Sequence, residues 1–330
     1  MSKLVSLPPL SETRISVAPM MERTDRHCRY FMRLLAPDVR LYTEMVNANA
    51  ILRGGVDRHL AYDPSEHPVA LQLGGNEPDK LAAAAVIAEE YGYDEINLNV
   101  GCPSDRVRSG AFGACLMGQA QLVADCVQAM QEKVSVPVTV KNRIGIDDGE
   151  TCNDSFEFLA EFTRTVAAGG CQLFIVHARK AVLGGLSPKQ NLNIPPLRYE
   201  VVHQLKSEFP ELRILTNGGI RDVALSGEQL EHVDGVMIGR QAYKEPYLLA
   251  ELQQQFLNAD HGLPDRAGIV SAMADYAEAQ LSGRMRMHHI TRHMAGLYAG
   301  HSGARSWRRE LAAVQSPDEL RQLAESVATA

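Results

Sequence analysis

Eight short aliphatic segments alternate with helical patterns between Ile15 and Ile238, and this alternation limits the fold more than any other feature. Each segment is aliphatic until its last residues and then becomes polar. Parallel strands buried on both faces have this composition, because helices cover both sides of their sheet. Eight strand–helix units therefore predict a (β/α)8 TIM barrel. The predicted strands are Ile15–Met20, Leu41–Met45, Val69–Leu73, Glu95–Val100, Val138–Lys141, Leu173–His177, Ile214–Asn217 and Gly235–Ile238.

Only helical patterns follow Pro246, so a second, all-helical unit is expected after the barrel. The segment His-Gly-Leu-Pro at 261–264 marks the change in composition. We predict a barrel domain at 1–250 and a small helical domain at 251–330. The predicted helices are Asp79–Tyr91, Ala120–Lys133, Ser155–Ala168, Leu197–Phe209, Ser226–His232, Leu248–Leu257, Arg266–Leu281, Ile290–Tyr298 and Pro317–Val327.

The composition of the 330 residues is that of an ordinary globular protein, with 45% hydrophobic and 22% charged residues. The six cysteines are scattered without a C-x-x-C pair, so neither a zinc site nor a disulfide framework is expected. No apolar run is long enough to span a membrane, and the N-terminus lacks the apolar core of a signal peptide. We expect a cytoplasmic monomer without a bound metal.

One segment departs from the net charge of −7. From Arg284 to Arg309 there is no Asp or Glu, while six arginines and the single tryptophan, Trp307, occur there. Arginines with an aromatic residue can hold RNA phosphates and stack on a base, which makes Arg305 and Arg308 candidate RNA contacts. The alternatives are a solvated face for the arginines and core packing between helices for Trp307.

Active sites of barrels collect at the carboxyl ends of the strands. Polar or conformationally restricted residues stand at these ends in the first six predicted strands. They are Pro19 and Met20, Glu44, Gln72, Asn99, Lys141 and Arg143, and His177 and Arg179.

The ends of the last two predicted strands carry glycines. Loops at these places commonly hold a phosphate, because glycine lets the ligand approach the backbone N–H groups. Ordinary turns are the alternative explanation for such glycines. The candidate phosphate site consists of Asn217, Gly218 and Gly219 with Gly239 and Arg240.

Cys102 follows a strand that presents two amides, Asn97 and Asn99, and it lies between a glycine and a proline. The loop Gly110–Gly113 could cover its sulfur. The alternative is a small buried hydrophobic residue. Lys141 is open to three interpretations: a Schiff-base nucleophile, a neighbour of a flavin ring, or a salt-bridged barrel lysine.

Several long motifs resemble the tRNA-dihydrouridine synthases, flavoenzymes that reduce uridine in tRNA. The likeness runs from Ile15 to about Arg309, and features typical of the A subfamily are TDRHCRYF, the loop 184–189 and Gly-Ala-Arg at 303–305. Met-Glu-Arg at 21–23 and Asn142 depart from the family pattern. The motifs are INLNVGCPSDRV, GAFGACLM, VAPMMERTDRHCRYF, PVALQLGG, VKNRIG and FIVHARKAVLGGLSPKQNLNIPPL.

The resemblance implies an NADPH-driven enzyme that uses FMN to reduce uracil at positions 20 and 20a of the tRNA D-loop. Hydride would pass from N5 of FMN to C6, and Cys102 would protonate C5 from the opposite face. Asn99 would bind the uracil, while Arg143, Arg179, Lys180 and Lys189 would face the RNA. Implied contacts of FMN are Pro19, Met20, Gln72, Lys141, His177 and the candidate phosphate site.

Two other functions stay open at this point. One is an FMN-dependent barrel dehydrogenase that acts on a free pyrimidine, which would not need a basic helical tail. The other is an RNA-binding barrel without catalytic turnover, although intact Cys102 and Lys141 speak against it.

Overall fold

The computed structural model describes residues 13–104, 111–282 and 285–328. Eight parallel strands form one sheet in the order β1-β8-β7-β6-β5-β4-β3-β2. The sheet closes where Val17 N donates to Arg40 O at 2.9 Å, ahead of β2. The predicted (β/α)8 barrel is confirmed. Its strands are β1 Ile15–Val17, β2 Leu41–Asn47, β3 Val69–Gly74, β4 Glu95–Val100, β5 Val138–Arg143, β6 Leu173–His177, β7 Arg213–Asn217 and β8 Gly235–Ile238.

β1 is shorter than predicted. Ala18 N still donates to Ile238 O at 2.8 Å, but Pro19 has no N–H with which to continue the ladder. The strand therefore ends at Val17, and Pro19 and Met20 belong to the loop that follows it.

Helices cover the outside of the barrel, and several begin with a side-chain cap. Ser155 Oγ, for example, accepts a hydrogen bond from Phe158 N at 3.2 Å, which fixes the start of that helix. The α-helices up to the end of the barrel strands are Arg26–Leu35, Ala48–Leu52, Val56–Leu60, Pro78–Tyr91, Ala120–Gln131, Phe156–Ala168, Pro188–Asn191, Tyr199–Glu208 and Val223–Leu230.

A small second sheet lies beside the barrel and was not predicted. Ile146–Asp147 pairs antiparallel with Cys152–Asn153 and parallel with Ala181–Val182. The pairing with residues 181–182 links the loops that follow β5 and β6.

The C-terminal segment is helical, as predicted. Its helices share one hydrophobic core with β1 and the helix Arg26–Leu35. The boundary predicted at residue 250 falls inside the helix Leu248–Leu252, and the division into domains stays a prediction. The helices after β8 are Arg240–Lys244, Leu248–Leu252 continued as a π-helix at Gln253–Leu257, Arg266–Gln280, His288–Thr291 with a 3₁₀ turn at Arg292–Met294, Ala304–Ala313 and Pro317–Ala328.

The helix predicted at Ile290–Tyr298 ends early. A Cβ on Gly296 would lie 2.2 Å from Lys244 O, so the backbone passes directly against the barrel at this point. Close tertiary packing therefore overrides the helical pattern here. Within the described residues, no helix has the length and apolar character needed to cross a membrane.

Candidate active site

The carboxyl ends of β3 to β7 place the predicted site residues on one rim of the barrel. Register sets Asn99 of β4 beside Lys141 of β5, and His177 of β6 beside Asn217 of β7. Gln72 of β3 lies opposite Asn97, two residues before Asn99. Residues separated by tens of positions in the sequence thus face a common mouth.

The side chain of Asn99 holds the turn that carries Cys102. Its Oδ1 accepts hydrogen bonds from Gly101 N at 3.2 Å and from Cys102 N at 3.0 Å. The carbonyl of Cys102 accepts from Ala114 N at 2.9 Å, and its Sγ lies 3.5 Å from Ser104 Oγ. The half-buried thiol therefore sits on a turn that is bonded through both its N–H and its carbonyl.

Arg143 supports the same turn from the neighbouring strand. This buried side chain donates from Nε to Gly101 O at 2.8 Å and from Nη1 to Lys180 O at 3.1 Å. It thereby connects the cysteine turn with the loop after β6. The loop expected to cover the sulfur, Gly110–Gly113, begins outside the described residues.

Lys141 crosses the mouth of the barrel and donates from Nζ to Asn217 Oδ1 at 3.0 Å. Burial lowers the pKa of Lys141 to about 7, and repulsion from Arg143 adds to this while Cys102 opposes it. A lysine in this state is partly neutral near pH 7. An anion bound beside it would restore its charge.

Gly218 lies directly over His177. Its φ is +113°, and a Cβ there would lie 2.6 Å from Cδ2 of His177, so a side chain has no room. Burial holds the pKa of His177 well below its usual range, and four cations, Arg143 first among them, reinforce the shift. The imidazole is therefore neutral. Tyr199 Oη donates to Gly218 O at 2.5 Å and fixes this turn.

Two arginines flank His177 and are held by one loop. Arg240 donates to Asn193 Oδ1 at 2.8 Å and to Leu192 O at 3.1 Å. Arg179 donates to the carbonyl of Pro195. Burial and repulsion from Arg240 lower the pKa of Arg179. This crowding of like charges is relieved when an anion binds between them.

The family model described as dihydrouridine synthase (Dus) matches residues 16–330. A tRNA-dihydrouridine(20/20a) synthase of Salmonella typhimurium strain LT2 is 57% identical over 90% of this chain and 89% of its own length. The protein of that name from Escherichia coli strain K12 is 57% identical over 90% of this chain and 85% of its own length, and that from Vibrio parahaemolyticus is 56% identical over 90% of both.

The chain belongs to the dihydrouridine synthase family. The resemblance found in its motifs is thus confirmed, including the likeness to the 20/20a subfamily. A 2-naphthoyl-CoA reductase complex has a similar fold, with a TM-score of 0.54 over 75% of this chain and 51% of that one. At 11% identity this likeness concerns the fold alone.

In this dihydrouridine synthase the other residues predicted to bind RNA lie outside the rim. Lys180 Nζ is 3.0 Å from Asp147 Oδ2 and 3.2 Å from Asp154 Oδ2. Hydrogen bonds to Cys152 and Asp147 raise the pKa of Lys180, so its charge is fixed and partly neutralised. Lys189 is exposed on the helix Pro188–Asn191.

Trp307 is a core residue, which supports core packing between helices and not base stacking. It is 3% exposed, its Nε1 donates to Met294 O at 3.0 Å, and its ring lies 4.8 Å from that of Tyr298. The interpretation as a base-stacking platform is therefore wrong. Arg305 and Arg308 are exposed on the same helix, and as RNA contacts they stay predictions.

A cleft of about 800 Å³ opens beside the rim, between the end of β2 and the C-terminal helices. Asp25 joins its two walls: Oδ2 is 2.7 Å from Arg292 Nη2, and Oδ1 is 3.0 Å from His293 Nε2. Burial opposes the ionisation of Asp25, but hydrogen bonds from His293, Cys28 N and Arg292 outweigh it and lower its pKa. Asp25, at the start of the helix Arg26–Leu35, thus links this helix to the C-terminal helices.

Three residues beneath the rim, Asn97, Thr139 and Glu95, were not predicted as site residues. Gln72 Nε2 donates to Asn97 Oδ1, and Asn97 Nδ2 donates to Thr139 Oγ1, each at 2.8 Å. Thr139 Oγ1 donates in turn to Glu95 Oε1 at 2.6 Å. The signal for Asn97 was its alternation with Asn99 in a buried strand, but Glu95 looks like an ordinary polar residue at the start of that strand.

Proposed function

We propose that this chain is a tRNA-dihydrouridine synthase that reduces uridines 20 and 20a in the D-loop of tRNA, with FMN as cofactor and NADPH as reductant. The relatives named for positions 20 and 20a support this, since they are 57% identical over nine-tenths of the chain. The observation that carries the proposal is the position of Cys102, which stands on the same rim as Lys141 and the candidate phosphate site.

The chemistry of the rim fits FMN. His177, Arg179 and Arg240, together with the glycine turn at 218–219, offer donors and positive charge for a phosphate. Lys141 suits the electron-rich edge of a flavin ring, which Gln72, Pro19 and Met20 would border in keeping with the family resemblance. When bound, FMN supplies hydride for C6 of uracil and receives hydride from NADPH.

The chain itself then provides the proton and the orientation of the base. Cys102 donates its thiol proton to C5 of uracil, which a serine could not do as readily because a hydroxyl is a much weaker acid. Asn99 fixes the turn of Cys102 through Oδ1 and keeps Nδ2 for donation. Arg143 was predicted to face the RNA, but it donates to Gly101 O. This geometry favours a role in supporting the Cys102 turn.

The RNA is proposed to lie across the rim and the helical segment. Arg179, Lys180 and Lys189 on the loop after β6, with Arg305 and Arg308, supply the cations for its phosphates. The base must leave its stack to reach Cys102, so a pocket and an RNA platform are both required. A location in the cytoplasm, a monomeric state and the absence of a metal stay predictions.

An anaerobic absorbance titration of the purified protein tests the proposal. Flavin bands should bleach with NADPH and return when unmodified tRNA is added. Free uridine or orotate should not bring them back. Mapping of the product RNA should find dihydrouridine at positions 20 and 20a.

Three outcomes would contradict the proposal in different ways. Reoxidation by a free pyrimidine would favour a dehydrogenase. A yellow protein that binds tRNA without reducing it would favour an RNA-binding barrel. A colourless protein that cannot be loaded with FMN would return Lys141 to a Schiff-base role, for which its pKa of about 7 is also suited.

A further inference from the structure

A chain of hydrogen bonds runs from the floor of the barrel to the cysteine turn, and it begins at Glu95. This fully buried carboxylate accepts from Tyr42 Oη at 2.7 Å and from Thr139 Oγ1 at 2.6 Å. Its second oxygen, Oε2, lies 3.2 Å from Nη1 of Arg40. The guanidinium of Arg40 can only donate, so the carboxylate that is paired with it accepts. The hydroxyl of Thr139 must therefore donate its single proton downward, to Glu95.

The direction of every bond above Thr139 follows from this. Because its only hydroxyl proton is donated to Glu95, Thr139 Oγ1 can otherwise only accept. The group of Asn97 that lies 2.8 Å away must therefore be Nδ2. Asn97 Oδ1 then faces Nε2 of Gln72 at 2.8 Å. Gln72 Oε1 in turn faces Nδ2 of Asn99, again at 2.8 Å. The orientation of each amide is thus fixed by its hydrogen bond to the preceding residue of the chain.

The upper end of the chain imposes the same direction independently. Asn99 Oδ1 meets the N–H groups of Gly101 and Cys102, and a backbone N–H can only donate. The oxygen and nitrogen of an amide are otherwise easily interchanged. Here an obligate acceptor at the floor and obligate donors at the rim fix all three amides in one orientation.

We propose that Glu95, acting through Thr139, Asn97 and Gln72, is a positioning residue for uracil reduction. It turns Asn99 so that Oδ1 holds the Cys102 turn and Nδ2 is left to donate. One hydrogen of Nδ2 is bonded to Gln72, and the second is available for a carbonyl oxygen of the base. With the C4 carbonyl of uracil in this position, the arrangement disfavours cytosine, which has an amino group at C4, whereas the C2 carbonyl is common to both bases. The inference rests on the proposed function.

Thr139→Val tests the chain with a minimal change of shape. Valine removes the hydroxyl, so Asn97 loses its acceptor and only the N–H groups at the rim still hold the three amides in this orientation. We expect reoxidation of the reduced holoenzyme by tRNA to slow by roughly tenfold to a hundredfold in stopped-flow measurements, because the reacting groups are misplaced. Reduction by NADPH and the Kd for tRNA should stay as in the unchanged protein.

Hydrogen–deuterium exchange gives a second readout that does not depend on turnover. The amide of Cys102 is bonded to Asn99 Oδ1, so it should exchange on the order of tenfold faster in T139V. Thr139→Ser keeps the hydroxyl and should restore both the rate and the protection. Thr163→Val is the matched control, since Thr163 is a buried threonine on the helix Phe156–Ala168.

Glu95→Gln adds a donor at the floor and should reproduce the defect of T139V, although it also leaves Arg40 without its carboxylate partner. A T139V enzyme with unchanged reoxidation and protection would overturn the inference, as would equal losses in T139V and T163V or in T139V and T139S. A failure of the proposed function looks different: the unchanged protein itself would not be reoxidised by tRNA, and the positioning role would fall with it.

Discussion

The mouth of the barrel has two unlike halves. On the side of β3 and β4, Gln72, Asn97 and Asn99 form a chain of uncharged amides with a fixed direction. On the side of β5 to β8, burial lowers the pKa values of Lys141, His177 and Arg179, and repulsion from neighbouring cations adds to each shift. One half is satisfied by its own hydrogen bonds, whereas the other carries positive charge that an anion would offset.

The difference suggests that the two proposed ligands, uracil and FMN, contact different halves of the mouth. Directed amides distinguish donors from acceptors on a neutral ring, which is what recognition of a base requires. Crowded cations bind a charged group with little regard to its shape. We therefore expect damage to the amide half to impair uridine reduction and damage to the cationic half to impair retention of FMN.

Cys102→Ala should give the largest effect. Loss of the proton donor is expected to slow uridine reduction by on the order of a hundredfold or more, while FMN content, reduction by NADPH and tRNA affinity are retained. The measurement is single-turnover formation of dihydrouridine with reduced enzyme. Cys126→Ala, on the helix Ala120–Gln131, is the control for loss of a buried cysteine. Full activity in C102A would remove Cys102 from the mechanism.

Gly218→Ala should damage the cationic half. The new Cβ would lie 2.6 Å from Cδ2 of His177 and would displace the ring, and a φ of +113° is strained for alanine. We expect the Kd for FMN to rise between roughly tenfold and a hundredfold, on the scale of 1.4 kcal/mol per tenfold change. Fluorescence titration of the FMN-free protein measures this.

Gly149→Ala is a control that distinguishes the clash with His177 from the backbone strain of an alanine at positive φ. Gly149 also has a positive φ, +89°, but a Cβ there would meet nothing within 4 Å. It should therefore leave the Kd for FMN unchanged. An equal loss of affinity in both variants would show that strain, and not the contact with His177, governs the result.

The sequence predicted the barrel and most of its rim, because both depend on features that lie within single segments. A parallel strand buried on both faces is aliphatic along its length, and its carboxyl end is polar where it meets a ligand. Gln72, Asn99, Lys141, His177 and Asn217 could be found in this way. They all lie on the rim in the structure.

The features that escaped prediction depend on how separate segments meet. Glu95 acquires its role only because register places Asn97 of β4 opposite both Gln72 of β3 and Thr139 of β5. Trp307 is fixed by contacts with Met294 and Tyr298, which its run of neighbouring arginines does not reveal. Periodicity within one element carries no information on such pairings.

The pH dependence of FMN binding should report on Lys141. Its pKa of about 7 means that it is mostly charged below pH 7 and mostly neutral above it in the FMN-free protein. Binding of an anion beside Lys141 then requires uptake of a proton at higher pH. The affinity for FMN should therefore fall above pH 7, by up to about tenfold per pH unit.

Titrations of FMN from pH 6 to pH 9 with Lys141→Met test this assignment, since the variant should lose that part of the slope that belongs to Lys141. Other titrating groups, including the phosphate of FMN, are common to both proteins and cancel in the comparison. Lys133→Met, an exposed lysine after the helix Ala120–Gln131, should keep the slope. If the affinity for FMN depended on pH equally in K141M and the unchanged protein, Lys141 would not be the group that takes up the proton.

Replacement of Arg305 and Arg308 by glutamine should have the smallest effect and should spare both halves of the mouth. The two side chains are exposed on the helix Ala304–Ala313, whose buried face carries Trp307 and Leu311, so the fold should tolerate the change. Loss of two phosphate contacts should weaken tRNA binding several-fold and reduce the salt slope by about 1 to 2. Filter binding at several salt concentrations measures this, with Arg164→Gln as the control. An unchanged slope would mean that these arginines form only a solvated face, and that the RNA is held by the rim alone.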